Sequence, residues 1–109
     1  GELTLGENIA DVSGLAVAYR AYQLSLGGEP APVIDGLTGE QRFFVGFTHV
    51  WRVKTRPEET IRRVTIDPHS PPEYRVFGTL VNTDAFFEAF GVKPGDGMWR
   101  DPADRVRIW

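Results

Sequence analysis

Thr4-Leu5-Gly6-Glu7-Asn8-Ile9-Ala10-Asp11-Val12-Ser13-Gly14-Leu15 opens the longest regular stretch of the chain, which reads as a helix from Gly6 to Leu26. Ile9, Leu15, Val17, Ala18, Tyr22 and Leu26 recur near helical period. Thr4 stands where it can cap the start, and Gly27-Gly28 ends the run. Gly14 weakens the interior without breaking the pattern.

Outward from this helix the signals stay helical. Glu29 to Asp35 holds two prolines and reads as a loop. Thr38-Gly39-Glu40-Gln41 fits a capping box, so a second helix is expected from Gly39 to about Lys54. It is apolar on most sides from Phe43 to Val53, which predicts deep burial. Arg56-Pro57-Glu58-Glu59 predicts a third helix, running to about Ile66, with proline in the first turn and acids toward the positive helix end. Asp67-Pro68-His69-Ser70-Pro71-Pro72 is then a rigid turn. For Tyr74 to Leu80, periodicity leaves an extended segment and a short helix equally open. Asp84 to Phe90 reads as a short helix closed by Gly91, and Val92 to Trp109 is rich in turns. There is no repeat, low-complexity tract or linker. The fold class expected is mainly α: a small multi-helix unit with proline-rich loops.

Composition narrows the function classes. With 109 residues the chain is one domain's worth. A net charge of −3 is too mild to argue for nucleic acid or an anionic membrane surface. No apolar run approaches the length needed to cross a bilayer. The absence of cysteine excludes disulfides and thiolate ligands, so a transition-metal site would need His, Asp and Glu. It leaves the compartment open. The first residue is Gly1 rather than Met, which is expected of a chain that begins inside a longer protein or follows a cut or a tag remnant.

Chemistry could reside in three places. Glu7 and Asp11, four apart, share one helix face, where their mutual repulsion calls for a cation nearby. Spacing alone favours a solvated acidic first turn; the sharper reading is a metal ligand with a carboxylate that orients a ligating imidazole. His69 sits in the proline-stiffened turn with Asp67 two residues away. A fixed imidazole N–H there could donate to an oxygen gaining negative charge, with Asp67 setting the tautomer; a loop histidine at a helix C-terminus is an equal alternative. Arg75 could grip a peptide carbonyl or carboxylate, although a structural ion pair is the commoner role. His49 reads as a buried or interfacial histidine, and the Phe43, Phe44, Phe47 and Trp51 cluster reads as core.

In order along the chain, these pieces resemble one family. Leu3 to Asp11 is similar to the Glu-x-x-x-Asp segment of the neprilysin-type zinc peptidases (peptidase family M13), and Tyr19-Arg20-Ala21-Tyr22 continues it. Gln41-Arg42-Phe43-Phe44 with Trp51 looks like the family's buried helix. Asp67 to Val76 resembles its His/Arg substrate-binding segment, and Gly78 to Asn82, Phe86 to Phe90 and the final Val106-Arg107-Ile108-Trp109 follow in register. The resemblance covers nearly the whole chain. It implies the C-terminal subdomain of a zincin-type metalloendopeptidase that cleaves peptides or small proteins by zinc-activated water. It implies Glu7 as the third protein ligand of zinc, and Asp11 as the carboxylate behind a zinc-bound histidine. His69 would stabilise the oxyanion, oriented by Asp67, and Arg75 would bind a substrate carbonyl on the primed side.

One departure is large. The His-Glu-x-x-His segment, which carries two zinc ligands and the general base, occurs nowhere in the chain and is expected upstream, as is an Asn-Ala-x-Tyr-type substrate-binding segment. The isolated chain is therefore expected to bind no zinc tightly and to cleave no peptide. The lack of cysteine near the last tryptophan points to a bacterial-type member, cytoplasmic or exported. The alternative function is a non-catalytic helical module that binds a protein partner or forms a homo-oligomer through surfaces the missing half would cover.

Overall fold

The computed structural model describes residues 2–108, so Trp109 lies outside the described residues. Five α-helices follow one another: α1 (Leu5–Ser25), α2 (Gly39–Val50), α3 (Pro57–Ile66), α4 (Pro72–Leu80) and α5 (Asp84–Phe90). Short 3-10 turns occupy Glu2–Thr4 and Pro102–Asp104, and the only sheet-like pairing among the described residues is an isolated bridge between Ile34 and Leu37. The mainly helical class is as expected, and the undecided stretch before Leu80 is helix, begun by Pro72 at its first position.

Local chemistry explains most of the boundaries. Gln41 N donates to Thr38 Oγ at 3.2 Å and Thr38 N donates to Gln41 Oε1 at 3.0 Å, so the capping box is complete. Gly91 takes φ 62°, the left-handed conformation that costs a side chain dearly, and closes α5. Gly39 is needed for a different reason: a Cβ there would run into the Tyr22 hydroxyl and Ala31. Thr4 does stand at the start of α1, but its hydroxyl receives the Asn8 amide at 3.3 Å rather than a cap hydrogen bond.

Two expectations for the second helix need correction. It stops at Val50, four residues before Lys54, where Trp51 turns the chain into an extended segment. Its burial is confined to one face: Phe44 is 1% exposed, whereas Val50 is 71% exposed. The apolar run was broader than the face that α1 and α5 can cover. His49, read as buried or interfacial, is exposed, which removes the buried alternative.

The core draws Leu15 from α1, Phe44 from α2, Leu80 from α4, and Phe86 and Phe87 from α5. Tyr19, Phe43, Phe47, Val76, Met98 and Trp99 pack around it. Aromatic rings meet edge-on or tilted, as for Phe44 and Phe86 with centroids 5.8 Å apart and an interplanar angle of 82°. Fully burying each such ring is worth about 1.5–3 kcal/mol. The main packed pairs are α1 with α4 and α2 with α5. Helix α3 buries none of its residues. The total surface, 7529 Å², exceeds the roughly 6,000 Å² that a compact monomer of this mass exposes.

Candidate active-site face

The site forms where the start of α1 meets the turn between α3 and α4. The helical repeat puts Glu7, Asn8 and Asp11 along one side of α1. The prolines at 68, 71 and 72 bend the chain sharply after α3, so His69 stands at the apex and Arg75 falls in the first turn of α4. The packing of α4 on α1 then brings residues about sixty positions apart together.

Within the turn, Asp67 holds His69 twice. Its Oδ1 accepts the His69 backbone N–H at 2.9 Å and lies 2.7 Å from His69 Nδ1. The other ring nitrogen, Nε2, is 3.2 Å from Glu7 Oε2. A neutral imidazole carries one ring proton, so donation to both carboxylates at once takes the imidazolium. Arg75 makes a fork onto Asp11, with Nε to Oδ2 at 2.6 Å and Nη2 to Oδ1 at 2.7 Å. Both side chains are only 12% exposed, which makes this the best-shielded ion pair at the site. Glu7 lies 3.9 Å from Arg75 Nη2. The guanidinium stacks over Trp51, 4.1 Å from the ring centroid.

The result is an alternating line of acid and base: Asp67, His69, Glu7, Arg75, Asp11. It supplies the cation that the Glu7–Asp11 spacing calls for. Hydrogen bonding from the His69 backbone, then from its side chain, holds the Asp67 carboxyl below its usual range. The hydrogen bond to Asp11 raises the Arg75 guanidinium further and keeps it charged.

All five residues picked out as candidates are therefore neighbours. Three others at the site are assigned elsewhere, or passed over, by sequence reading. Trp51 reads as core, yet its ring is the platform beneath Arg75. Asn8 and Ser70 meet across the cleft, Ser70 Oγ donating to Asn8 Oδ1 at 2.9 Å. Each adjoins a candidate in sequence, but nothing in one-dimensional spacing pairs them. His69, Ser70, Arg75, Asn8 and Val12 also line a cavity of about 590 Å³ between α1 and α4.

No three His, Cys, Asp or Glu side chains among the described residues converge as a metal cage. Glu7 is a carboxylate with 41% of its side chain exposed, of the kind that can donate an oxygen to zinc. Asp11 is engaged by Arg75. The residues present fit zinc as contributors of one oxygen ligand and its surroundings, not as a complete site.

Known proteins share this fold and much of this sequence. The pattern of peptidase family M13 matches residues 1–106. Neprilysin-3 of Drosophila melanogaster is 42% identical over 113 residues, covering 100% of this chain and 14% of the relative. Human endothelin-converting enzyme 1 is 44% identical over 112 residues, again covering 100% of this chain and 14% of the relative. The chain thus spans about a seventh of the length of these relatives. Among solved structures, zinc metalloprotease Zmp1 of Mycobacterium tuberculosis in its open state superposes with a TM-score of 0.97 at 58% identity, over 100% of this chain and 17% of that one. The inhibitor complex of the same protease gives 0.95 over 98% of this chain and 16% of that one. Identity is higher to the mycobacterial protein than to these animal relatives, and the fold is shared along the whole chain: this chain belongs to peptidase family M13, as a bacterial-type member.

Proposed function

We propose that this chain is the C-terminal portion of the catalytic domain of a zinc metalloendopeptidase, and that it carries one zinc ligand and the groups that hold and polarise the peptide. The observation behind this reading is the meeting of Glu7 and Asp11 on α1 with His69 and Arg75 from the α3–α4 turn. Zinc, when bound, would supply Lewis acidity to the water and to the scissile carbonyl. Glu7 is the protein ligand from this chain. Asp11 has two tasks: it anchors Arg75, and its remaining lone pairs accept the outer N–H of a ligating imidazole from the rest of the enzyme. His69 points a proton from Nε2 toward the oxygen where negative charge builds, with Asp67 holding the ring from Nδ1. Arg75 keeps Nη1 outside its fork with Asp11, and that nitrogen donates to a backbone carbonyl of the peptide or small-protein substrate on the primed side.

In the complete peptidase, His69→Phe is expected to lower kcat by about 10²–10³-fold while KM changes little. Full activity in that variant would remove the oxyanion role. Glu7→Ala is expected to empty the enzyme of zinc, checked by metal analysis of the purified protein. The isolated chain is expected to bind no zinc tightly and to cleave no peptide, because one carboxylate does not make a site. Stoichiometric, tight zinc uptake by calorimetry would overturn that.

A second reading is favoured by surface chemistry. Ile61, Val64 and Ile66 of α3, Tyr74 and Phe77 of α4, Val50 at the end of α2 and Val53 just after it are all exposed. Alone, such a chain is expected to self-associate as a homo-oligomer or to bind a protein partner. A clean monomer by light scattering at high concentration would count against it. The coding sequence upstream of Gly1 separates the two readings: His-Glu-x-x-His there supports the enzyme.

A further inference from the structure

The turn that carries His69 is stiff in itself, but stiffness does not place it against α1. Besides the 3.9 Å approach of Arg75 to Glu7, three ties cross the gap. The contact of His69 with Glu7 joins two side chains that are each more than 40% exposed, where water weakens it. The Arg75–Asp11 fork is strong, but it lies in the first turn of α4, six residues beyond His69. About that fork alone the turn could still swing. The third tie closes the far end: Ser70 Oγ donates to Asn8 Oδ1 at 2.9 Å, and the Asn8 amide is itself held on Thr4 Oγ at 3.3 Å. Asn8 adjoins Glu7 and Ser70 adjoins His69, so this bond sits directly beside the gap it spans.

We infer that Asn8 and Ser70 are positioning residues, a clasp that fixes the distance between the Glu7 carboxylate and the His69 imidazole. The inference rests on the proposed peptidase reading. Neither residue touches the reacting atoms; both act through His69. A shift of the order of 1 Å at a catalytic donor can cost up to about a hundredfold in rate, so loss of a single neutral hydrogen bond here has kinetic consequences beyond its modest share of stability.

The test uses the complete peptidase. Ser70→Ala is expected to lower kcat about tenfold with KM held within about twofold, zinc content unchanged and Ser70→Thr restoring the rate. Asn8→Ala, which cuts the same bond from the α1 side, should match it, and the double variant should be no worse than either single one. In a His69→Phe background Ser70→Ala should have no further effect, which a general structural role would not produce. A readout independent of catalysis is hydrogen exchange. Between Pro68 and Pro72 only His69 and Ser70 have backbone N–H groups, and exchange at the His69 amide should rise in Ser70→Ala. An unchanged kcat, or a loss that persists in the His69→Phe background, overturns the clasp. Full activity of His69→Phe itself overturns the underlying reading instead.

Discussion

Helices α3 and α5 are both short and both clearly signalled in the sequence, yet they are held in opposite ways. Helix α5 has seven residues and buries Phe86 and Phe87 against α2 and the tail. Arg105 lies 3.9 Å from the Phe87 centroid and its Nη1 pairs with Asp84 at 2.6 Å, so the C-terminal segment locks α5 from outside. Helix α3 has ten residues and buries none. Its hydrogen-bonded charges are internal: Glu59 takes Arg62 and Arg63 at 2.7–2.8 Å. A ten-residue helix is marginal in water without tertiary contacts. Yet α3 leads into the turn that aims His69, whereas α5 touches no candidate catalytic group. The core is thus built around the second half of α1, at Leu15 and Tyr19, and the candidate site around its first turns, at Glu7 and Asp11, where polar ties add to the packing of α4 on α1.

The largest expected effect breaks the α5 side. Phe87→Ala should cost about 3–5 kcal/mol by denaturant titration, against no more than about 0.5 for Val64→Ala on α3. A similar cost at both positions would end the contrast. Next, native-state hydrogen exchange should find the α3 amides opening at free energies a few kcal/mol below those of α5. Equal protection would mean that α3 is held by something besides its own ion pairs. The polar ties come third. Arg75→Met leaves Asp11 half-buried without its partner and should cost about 1–2 kcal/mol, discounted for the water that still reaches the pair. Asp84→Ala should cost less, about 0.5 kcal/mol, since this carboxylate is 48% exposed, and it should loosen residues 105–107 first.

The smallest effect is a pH dependence. Hydrogen bonds from Arg62, then Arg63, hold the Glu59 carboxyl at about 2, down from 4.5. A carboxyl depressed on folding stabilises above its unfolded value, so its support for α3 is complete above pH 4.5 and is lost as pH falls toward 2. Carbon-13 titration of the carboxyl and helical circular dichroism check this together. Titration near 4.5 would show that the arginines do not hold it.

Much of this was legible in one dimension because it depends on neighbours in sequence. The Thr38–Gln41 capping box, Gly91 as a stop, Pro57 as a helix start and the proline turn around His69 are all local chemistry, whereas Pro72 read as part of that turn and opens α4. The candidates Glu7, Asp11, Asp67, His69 and Arg75 were visible as motifs in family order. What local signals misjudged was coverage. The apolar side of α2 extends past what α1 and α5 can bury, so Val50 lies exposed where burial was expected, and His49, read as buried or interfacial, is exposed.

Glu7 and Asp11, by spacing alone, were a solvated helix start or a metal-site pair. Sequence by itself determined that they share a helix face and that His69 is stiffly mounted, because i,i+4 geometry and proline restriction act within a few residues. Only the tertiary structure decided that Arg75 grips Asp11, that Trp51 lies under Arg75 and that Ser70 reaches Asn8. The first and last of these join residues more than sixty positions apart, and it is the packing of α4 on α1 around Leu15 and Leu80 that brings them within hydrogen-bonding distance.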